Sequence, residues 1–162
     1  MILNELPPCL QNKTCAVTGH RRLRSDFDEQ ALKKEFEKII ERGYEVFLSG
    51  MALGFDMKCV KVLEELKEAY PFIKIGAVIP CKDQGEFYKG EALEEYERMI
   101  ADADYRIILE EEYTKDCMLR RNDFLIENST LILAYYLGTK RGGTYYTINH
   151  AKKANREIIY WN

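Results

Sequence analysis

Three short segments of the chain combine glycine with residues that could hold an anion. They read GHRRLR from Gly19 to Arg24, SGMALGFD from Ser49 to Asp56, and GTKRGGT from Gly138 to Thr144. Glycine allows a backbone to approach a bound group and offer its N–H groups, and a helix that starts there adds a positive dipole. The segments therefore have the components of a phosphate or carboxylate cradle, although a single glycine after a strand is as often only a turn residue.

The charge of the chain is unevenly distributed. Its 24 basic and 27 acidic residues give a net charge of −3, which excludes the globally basic surface that tracks a nucleic acid. This clustering of cations in two of the glycine segments predicts a local pocket for one small anion, while the acidic run Glu110–Glu112 counts against it if it lies nearby. The clustered cations are Arg21, Arg22, Arg24, Lys140 and Arg141.

Apolar runs alternate with amphipathic helical patterns along the chain, and the runs are continuous, as in a parallel sheet covered on both faces. The sequence predicts an α/β fold: a single doubly wound Rossmann-like domain over residues 1–162, with a lead-in at 1–13 and a mostly parallel sheet of about six strands. The predicted strands are Thr14–Thr18, Glu45–Leu48, Ile73–Ile79, Tyr105–Leu109, Leu131–Tyr136 and Glu157–Tyr160. The predicted helices are Phe27–Arg42, Phe55–Tyr70, Glu86–Ala101, Met118–Asn128 and Thr144–Asn155.

The cysteine pattern and the absence of long apolar segments predict a cytoplasmic protein that contacts no membrane. Five cysteines are scattered without a CxxC pair, and only two histidines are present, so neither a disulfide framework nor a metal site is expected. No run of about 18 apolar residues exists, and the first residues lack the pattern of a secretory signal. Cys81 and Cys117 lie near strand ends, where packing is a commoner role than redox chemistry.

Three common nucleotide and hydrolase motifs are missing. The first glycine segment is not the GxGxxG fingerprint of dinucleotide-binding folds, and the chain contains no GxxxxGK[ST] phosphate loop. GxSxG is also absent, which disfavours an α/β-hydrolase.

At the same loops the sequence resembles the YpsA-like branch of the SLOG superfamily, the Rossmann-like group that joins the DNA-processing protein DprA with the LOG phosphoribohydrolases. The match runs from about Thr14 to Tyr160, and the order and spacing of the motifs carry it more than any single motif. The motifs are Thr18-Gly19-His20-Arg21, Ser49–Asp56, Ile79-Pro80-Cys81 with Gln84, Cys117-Met118 with Arg121-Asn122, and Gly142-Gly143-Thr144.

The resemblance implies a nucleotide or nucleotide-derived ligand held by the glycine loops. Asp56 has the alternative role of capping the helix that follows it. The ligand itself remains unnamed, and relatives on this fold suggest a homo-oligomer. The ligand-binding residues implied are Gly19, His20, Arg21, Ser49, Gly50, Met51, Gly54, Asp56, Arg121, Asn122, Gly142, Gly143 and Thr144.

The resemblance to the LOG enzymes breaks at their catalytic position. LOG enzymes cleave an N-glycosidic bond with a glutamate in the motif PGGxGTxxE, and they carry an arginine three residues after a methionine. Met118 and Arg121 keep the second spacing, but alignment of the Gly-Thr steps puts Thr147 where the glutamate belongs. Threonine cannot supply that carboxylate, so LOG chemistry is not expected and no catalytic residue is assigned.

His20 and four tyrosines are further candidates for ligand contact. The neighbouring arginines should favour the neutral form of His20, which could then bond a ribose or base, or only its own loop. A base could stack on a tyrosine beside the third glycine segment, although packing also explains those residues. The four are Tyr135, Tyr136, Tyr145 and Tyr146.

Three functions fit these observations. The first is a nucleotide-derivative binding module that senses its ligand or regulates a partner. The second is a nucleotide hydrolase or transferase in which His20, Asp56 or an acidic loop residue replaces the missing glutamate. The third is DprA-like binding of single-stranded nucleic acid, against which the net charge of −3 argues.

Overall fold

Seven parallel strands form one sheet in the computed structural model of the chain, which describes the backbone of residues 2–3 and 8–162 and the side chains of residues 10–162. The strands are β1 Ile2–Leu3, β2 Thr14–Gly19, β3 Val46–Ser49, β4 Lys74–Ile79, β5 Tyr105–Ile108, β6 Leu131–Tyr135 and β7 Glu157–Tyr160. Their order across the sheet is β1-β5-β4-β3-β2-β6-β7, and every neighbouring pair is parallel.

Helices connect the strands from β2 onward. A 3₁₀ segment, Lys82–Phe87, precedes one of them. Asp28 caps the N-terminus of the second helix, since its carboxylate accepts hydrogen bonds from the N–H groups of Gln30 and Ala31. The helices are α1 Pro8–Gln11, α2 Glu29–Glu41, α3 Phe55–Leu66, α4 Gly90–Asp102, α5 Cys117–Glu127 and α6 Gly143–Lys153.

The helices cover both faces of the sheet, so alternate residues of a strand belong to different hydrophobic cores. Cys15 and Val17 pack with the buried side chains of α2 and α3, whereas Ala16 between them packs with those of α5 and α6. Both sets are apolar because each face is covered, which explains why the strands show no polar alternation in sequence. This is the predicted doubly wound α/β arrangement.

The structure differs from the sequence-based assignment in its details. The sheet is wholly parallel and gains a seventh strand, β1, in the segment 1–13 that was expected to be only a lead-in. The polar connection after β4 contains the 3₁₀ segment, and α4 starts at Gly90 rather than Glu86. α3 ends at Leu66, four residues before the predicted end at Tyr70. Among the described residues, no helix is long and apolar enough to cross a membrane.

The strand order places a switch point beside β2. From β2 the chain adds β3, β4 and β5 on one side, and then places β6 on the opposite side of β2. The loops that follow β2 and β6 therefore leave the sheet in opposite directions and open a crevice at its carboxyl edge, which is where such folds bind ligands.

Candidate functional site

A cleft of about 340 Å³ occupies the crevice at the carboxyl edge of the sheet. Its walls come from the β2 loop, the β3 loop, one face of α5 and the start of α6. Nine of its lining residues belong to the set predicted from sequence: Gly19, His20, Arg21, Asp56, Arg121, Asn122, Gly142, Gly143 and Thr144. Four others complete the lining: Thr18, Ala52, Met118 and Arg141.

Three arginines from different elements line the cleft. Arg21 follows β2, Arg141 precedes α6, and Arg121 projects from α5. Part of the cation cluster expected from sequence lies elsewhere, because Arg24 pairs with Asp26 at 3.1 Å and borders another hollow. Arg22 and Lys140 are exposed and are not among the residues that line the cleft.

Arg121 is held in place by the protein itself. The side chain is buried, with 6% exposed, so it does not face solvent as one side of an amphipathic helix could. Its Nη1 donates to the carbonyl oxygen of Gly50, and its Nε donates to Oδ1 of Asn122 at 3.0 Å. Burial lowers the pKa of the guanidinium, and the nearby Asp56 carboxylate opposes that shift. The cleft thus contains a fixed, water-shielded positive charge.

Asp56 brings a carboxyl group with a free oxygen to the same cleft. Its Oδ2 accepts a hydrogen bond from the N–H of Ala52 at 3.3 Å, so it bonds the preceding loop and does not cap α3. Its Oδ1 is buried and finds no hydrogen-bond partner among the described residues. Burial raises the pKa of Asp56 to about 6, against the opposing effect of Arg121. Leaving this oxygen unpaired is costly, and a ligand hydroxyl that reached it would remove that cost.

The start of α6 contributes backbone donors. Gly142, the residue before the helix, has φ of 93°, and no side chain of the described residues caps this terminus. The first N–H groups of an α-helix have no partner within the helix, so those at Gly143 and Thr144 are available where the helix borders the cleft. Together with the helix dipole, they favour an anionic group at this position.

His20 lines the cleft as a neutral side chain. Its Nε2 accepts a hydrogen bond from the N–H of Leu137 at 3.1 Å, which leaves the proton on Nδ1 in the neutral ring. The pKa of His20 is lowered, as expected, but the cause is burial and not the neighbouring arginines. His20 can therefore donate one hydrogen bond to a ligand.

Four residues of the predicted set support the cleft from behind and do not line it. The hydroxyl of Ser49 donates to the carbonyl oxygen of Asp56 and accepts from the N–H of Met51, both at 3.1 Å. A Cβ at Gly50 would lie 2.7 Å from Cζ of Arg121. Gly54 has φ of 88°, and a Cβ there would lie 2.6 Å from Cα of Arg21. Arg121 and Arg21 can pack closely on these two glycines because they lack a side chain, whereas the resemblance implied that a ligand would approach them.

The position of the missing glutamate lies outside the cleft lining. Thr147 is buried, with 1% exposed, and its hydroxyl donates to the carbonyl oxygen of Gly143 at 2.8 Å within α6. No residue of the acidic run lines the cleft, and two of its carboxylates are paired, Glu110 with Arg120 and Glu111 with Lys82.

None of the four tyrosines considered for base stacking lines the cleft. Tyr135 is buried in the core, where its ring stacks on Phe55 with centroids 5.3 Å apart. Tyr146 stacks on His150 and donates to Asp123. The aromatic side chains that do adjoin the cleft are Phe87 and Tyr113, which come from the loops after β4 and β5. The sequence shows only that each is an aromatic residue in a polar segment that follows a predicted strand.

The cysteines near this region lie in the protein interior. Cys81 and Cys117 are buried free thiols, and burial raises the pKa of Cys81 to about 12, which suppresses the nucleophilic thiolate. No group of three or more histidine, cysteine, aspartate or glutamate side chains within the described ranges is placed to hold a metal ion.

The solved structures that resemble this fold include two DNA-processing proteins. DprA from Helicobacter pylori, studied in its single-stranded DNA binding mode, superposes with a TM-score of 0.68 at 20% identity over 95% of this chain and 67% of that one. DprA from Streptococcus pneumoniae gives 0.62 at 20% identity over 92% of this chain, which spans only half of the longer protein. Identities this low show a shared fold alone.

Sequence comparison gives a narrower relationship. A UPF0398 protein of Bacillus velezensis is 31% identical over 153 residues, covering 87% of this chain and 84% of that protein. The UPF0398 protein YpsA of Bacillus subtilis is 26% identical over 160 residues, covering 91% and 89%. The sequence profile of the YspA SLOG family matches residues 16–161, nearly the whole chain. The chain therefore belongs to the YpsA family of SLOG proteins.

Proposed function

We propose that this protein binds a nucleotide or a nucleotide-derived small anion in the cleft, as a sensor or regulatory module of the cytoplasm. One observation carries the proposal: Arg21, Arg121, Arg141 and the free N–H groups at the start of α6 border one 340 Å³ cleft at the switch point of the sheet. These groups suit a phosphate, which binds arginine and helix N-termini through several charge-assisted hydrogen bonds.

A hydroxyl-bearing anion fits the cleft better than a bare anion does. The unpaired Oδ1 of Asp56 is an acceptor, and an anion without a hydroxyl group, such as sulfate, has no proton to donate to it. A ribose hydroxyl can donate to that oxygen while the phosphate occupies the cationic part of the cleft. Asp56 and the arginines thus supply different contacts to one ligand with both groups.

Binding rather than catalysis is supported by the position of Thr147, whose hydroxyl is bonded to the backbone of its own helix. One feature favours nucleotide hydrolysis as a second candidate function. Asp56 is a buried carboxyl with a pKa raised to about 6 on the cleft wall, and such groups act as general acids or bases in many hydrolases.

Thermal denaturation with a panel of ligands tests the proposal. The panel contains inorganic phosphate, ribose 5-phosphate and the four 5′-nucleoside monophosphates. A ligand at one hundred times its Kd stabilises the folded state by about 2.7 kcal/mol, which raises Tm by roughly 5–10 °C for a chain of this size. The absence of a shift with every ribose-bearing compound would refute the proposal.

Two exposed neighbouring arginines provide a matched pair of variants. Arg21→Ala removes a cation that lines the cleft, and we expect the ligand-induced shift to fall sharply. Arg22→Ala removes another exposed cation, outside the cleft lining, and should leave the shift unchanged. Equal effects of the two variants would show that the ligand binds elsewhere or through general charge.

Two further assays on the same protein distinguish the alternative functions. Release of free base or of ribose phosphate over time, lost in Asp56→Asn, would establish the hydrolase. Salt-sensitive binding of a single-stranded oligonucleotide that survives in Arg21→Ala would favour the role named for the H. pylori DprA structure.

A further inference from the structure

A second cavity of about 480 Å³ opens directly beside the cleft. The two cavities adjoin, because Arg21, Ala52, Met118 and Arg121 line both of them. The volume lies within the range of small-molecule sites in proteins. We call this cavity the aromatic pocket, because Phe87, Tyr88 and Tyr113 form its remaining walls together with Gln84.

Two aromatic rings of the aromatic pocket are exposed although they touch each other. Phe87 is 62% exposed and Tyr113 is 52% exposed, and their ring centroids lie 6.0 Å apart at an interplanar angle of 60°. Phe87 ends the 3₁₀ segment after β4, and Tyr113 lies in the loop between β5 and α5. Covering exposed aromatic surface with another apolar group is favourable, and a planar group covers the face of a ring well.

The polar side chains behind these rings already have partners. The hydroxyl of Tyr88 donates to the carbonyl oxygen of Met51 at 2.7 Å. Oε1 of Gln84 accepts from the hydroxyl of Tyr96 at 2.8 Å, while its Nε2 donates to the carbonyl oxygen of Gly50 at 3.4 Å. The pocket therefore offers faces for stacking and few side-chain groups for reading hydrogen-bonding edges.

The distribution of charge sets the direction in which a ligand would lie. Arg141 and the start of α6 line the cleft alone, whereas Arg21 and Arg121 line both cavities. Tyr113 directly follows the acidic run Glu110–Glu112. A phosphate is attracted to the cleft side, and the end of the ligand near the acidic run is best uncharged. A group that is planar, apolar on its faces and neutral satisfies this end.

We propose that the aromatic pocket is a base-binding subsite, in which the base of the nucleotide held by the cleft packs against Phe87 and Tyr113. This inference rests on the proposed function, because the cleft must hold the sugar phosphate. Recognition by ring faces implies weak selectivity between bases of the same size, since every base has a stacking face. The subsite then distinguishes purine from pyrimidine nucleotides by the area of ring face that each base can bury against Phe87 and Tyr113.

Titration calorimetry with two probes tests the subsite. Ribose 5-phosphate reports on the cleft alone, and adenosine 5′-monophosphate adds the base. Stacking of a base on an aromatic side chain is typically worth a factor of ten or more in affinity, so the monophosphate should bind at least about tenfold more tightly than the sugar phosphate. Adenosine and guanosine monophosphates should agree within about threefold.

Three exposed-aromatic variants complete the design. Phe87→Ala and Tyr113→Ala should each weaken adenosine monophosphate by about five- to tenfold and leave ribose 5-phosphate within twofold of its original affinity. Phe72→Ala, at another ring that is 50% exposed and packs on Tyr70, is the control and should change neither affinity. Because all three rings are exposed, the variants should fold.

The outcomes distinguish the subsite from the function it depends on. If ribose 5-phosphate binds and the base adds nothing, or if Phe87→Ala and Tyr113→Ala weaken both probes equally, the subsite is refuted and the cleft stands. If neither probe binds the unmodified protein, the proposed function fails and the subsite fails with it.

Discussion

The guanidinium of Arg121 occupies the space that a side chain at Gly50 would fill, and its Nη1 donates a hydrogen bond to the Gly50 carbonyl oxygen. The two residues are 71 positions apart in sequence. Gly50 is the first residue after β3, and Arg121 lies near the middle of α5, so the contact joins the two sides of the cleft. Neither residue can be replaced without consequences for the other.

Gly50→Ala should therefore destabilise the protein by about 1–3 kcal/mol, the usual cost of adding a methyl group to a closely packed site. Gly143→Ala is the matched control, since a Cβ there would only meet Nδ2 of Asn122 at an ordinary 3.5 Å. Urea denaturation measures both changes. A Gly50→Ala variant as stable as Gly143→Ala would contradict the packing described for Arg121.

The buried Asp56 carboxyl should make stability depend on pH. Its pKa rises from 3.8 to about 6 on folding, so the folded state holds the proton more tightly than the unfolded state does. This contribution is present below about pH 4 and is lost as the pH rises to about 6, by up to about 3 kcal/mol. Asparagine does not titrate, so the stability of the Asp56→Asn variant relative to the original protein should increase as the pH rises from about 4 to about 6. If urea denaturation gave the same stability difference between Asp56→Asn and the original protein at pH 4 and at pH 7, this prediction would be wrong.

His20 should titrate below the ordinary histidine pKa of 6.5, because burial disfavours its charged form. Protonation would also remove the acceptor that the N–H of Leu137 uses. Proton NMR of the imidazole resonances across pH 5 to 8 measures this, and His20→Gln assigns the signal by its disappearance. A midpoint at or above 6.5 would show that His20 is more exposed or more strongly paired than described.

Thr147→Glu should fail to restore LOG-type cleavage. The side chain at this position is buried, so a glutamate would place an unpaired charge in the interior at a cost of about 3–5 kcal/mol. Thr147→Val, which removes only the hydroxyl bond to Gly143, should cost about 1 kcal/mol. Chemical denaturation gives both values, and an assay for free base gives the activity. Base release by a fully stable Thr147→Glu variant would show that the position does face the cleft.

The order and type of the main elements could be predicted because a strand covered on both faces leaves a continuous apolar run. Val46–Ser49 and Leu131–Tyr135 are fully buried and stand out in the sequence for that reason. β1 could not be found in this way, since two residues carry no periodicity. The 3₁₀ segment Lys82–Phe87 was equally hidden, because its polar composition is that of a loop.

The residues around the cleft were predictable where they end a strand or follow it directly, as Gly19 and His20 do. Long-range contacts were not predictable. The burial of Arg121 depends on the missing side chain at Gly50, and the role of Gly54 depends on the backbone of Arg21. Phe87 and Tyr113 meet only because β4 and β5 are neighbours in the sheet, an order that the sequence does not state.

The hydrogen bonds that hold Arg121 have a thermodynamic consequence for association. Immobilising a flexible, rotamer-rich side chain when a ligand binds typically costs about 0.5–1.5 kcal/mol. Arg121 loses that freedom during folding, when it bonds to Gly50 and Asn122, so a ligand meets a guanidinium that is already oriented. Exposed Arg21 must still be ordered by its ligand. Of the two arginines, Arg121 should therefore contribute to binding with the smaller entropic penalty.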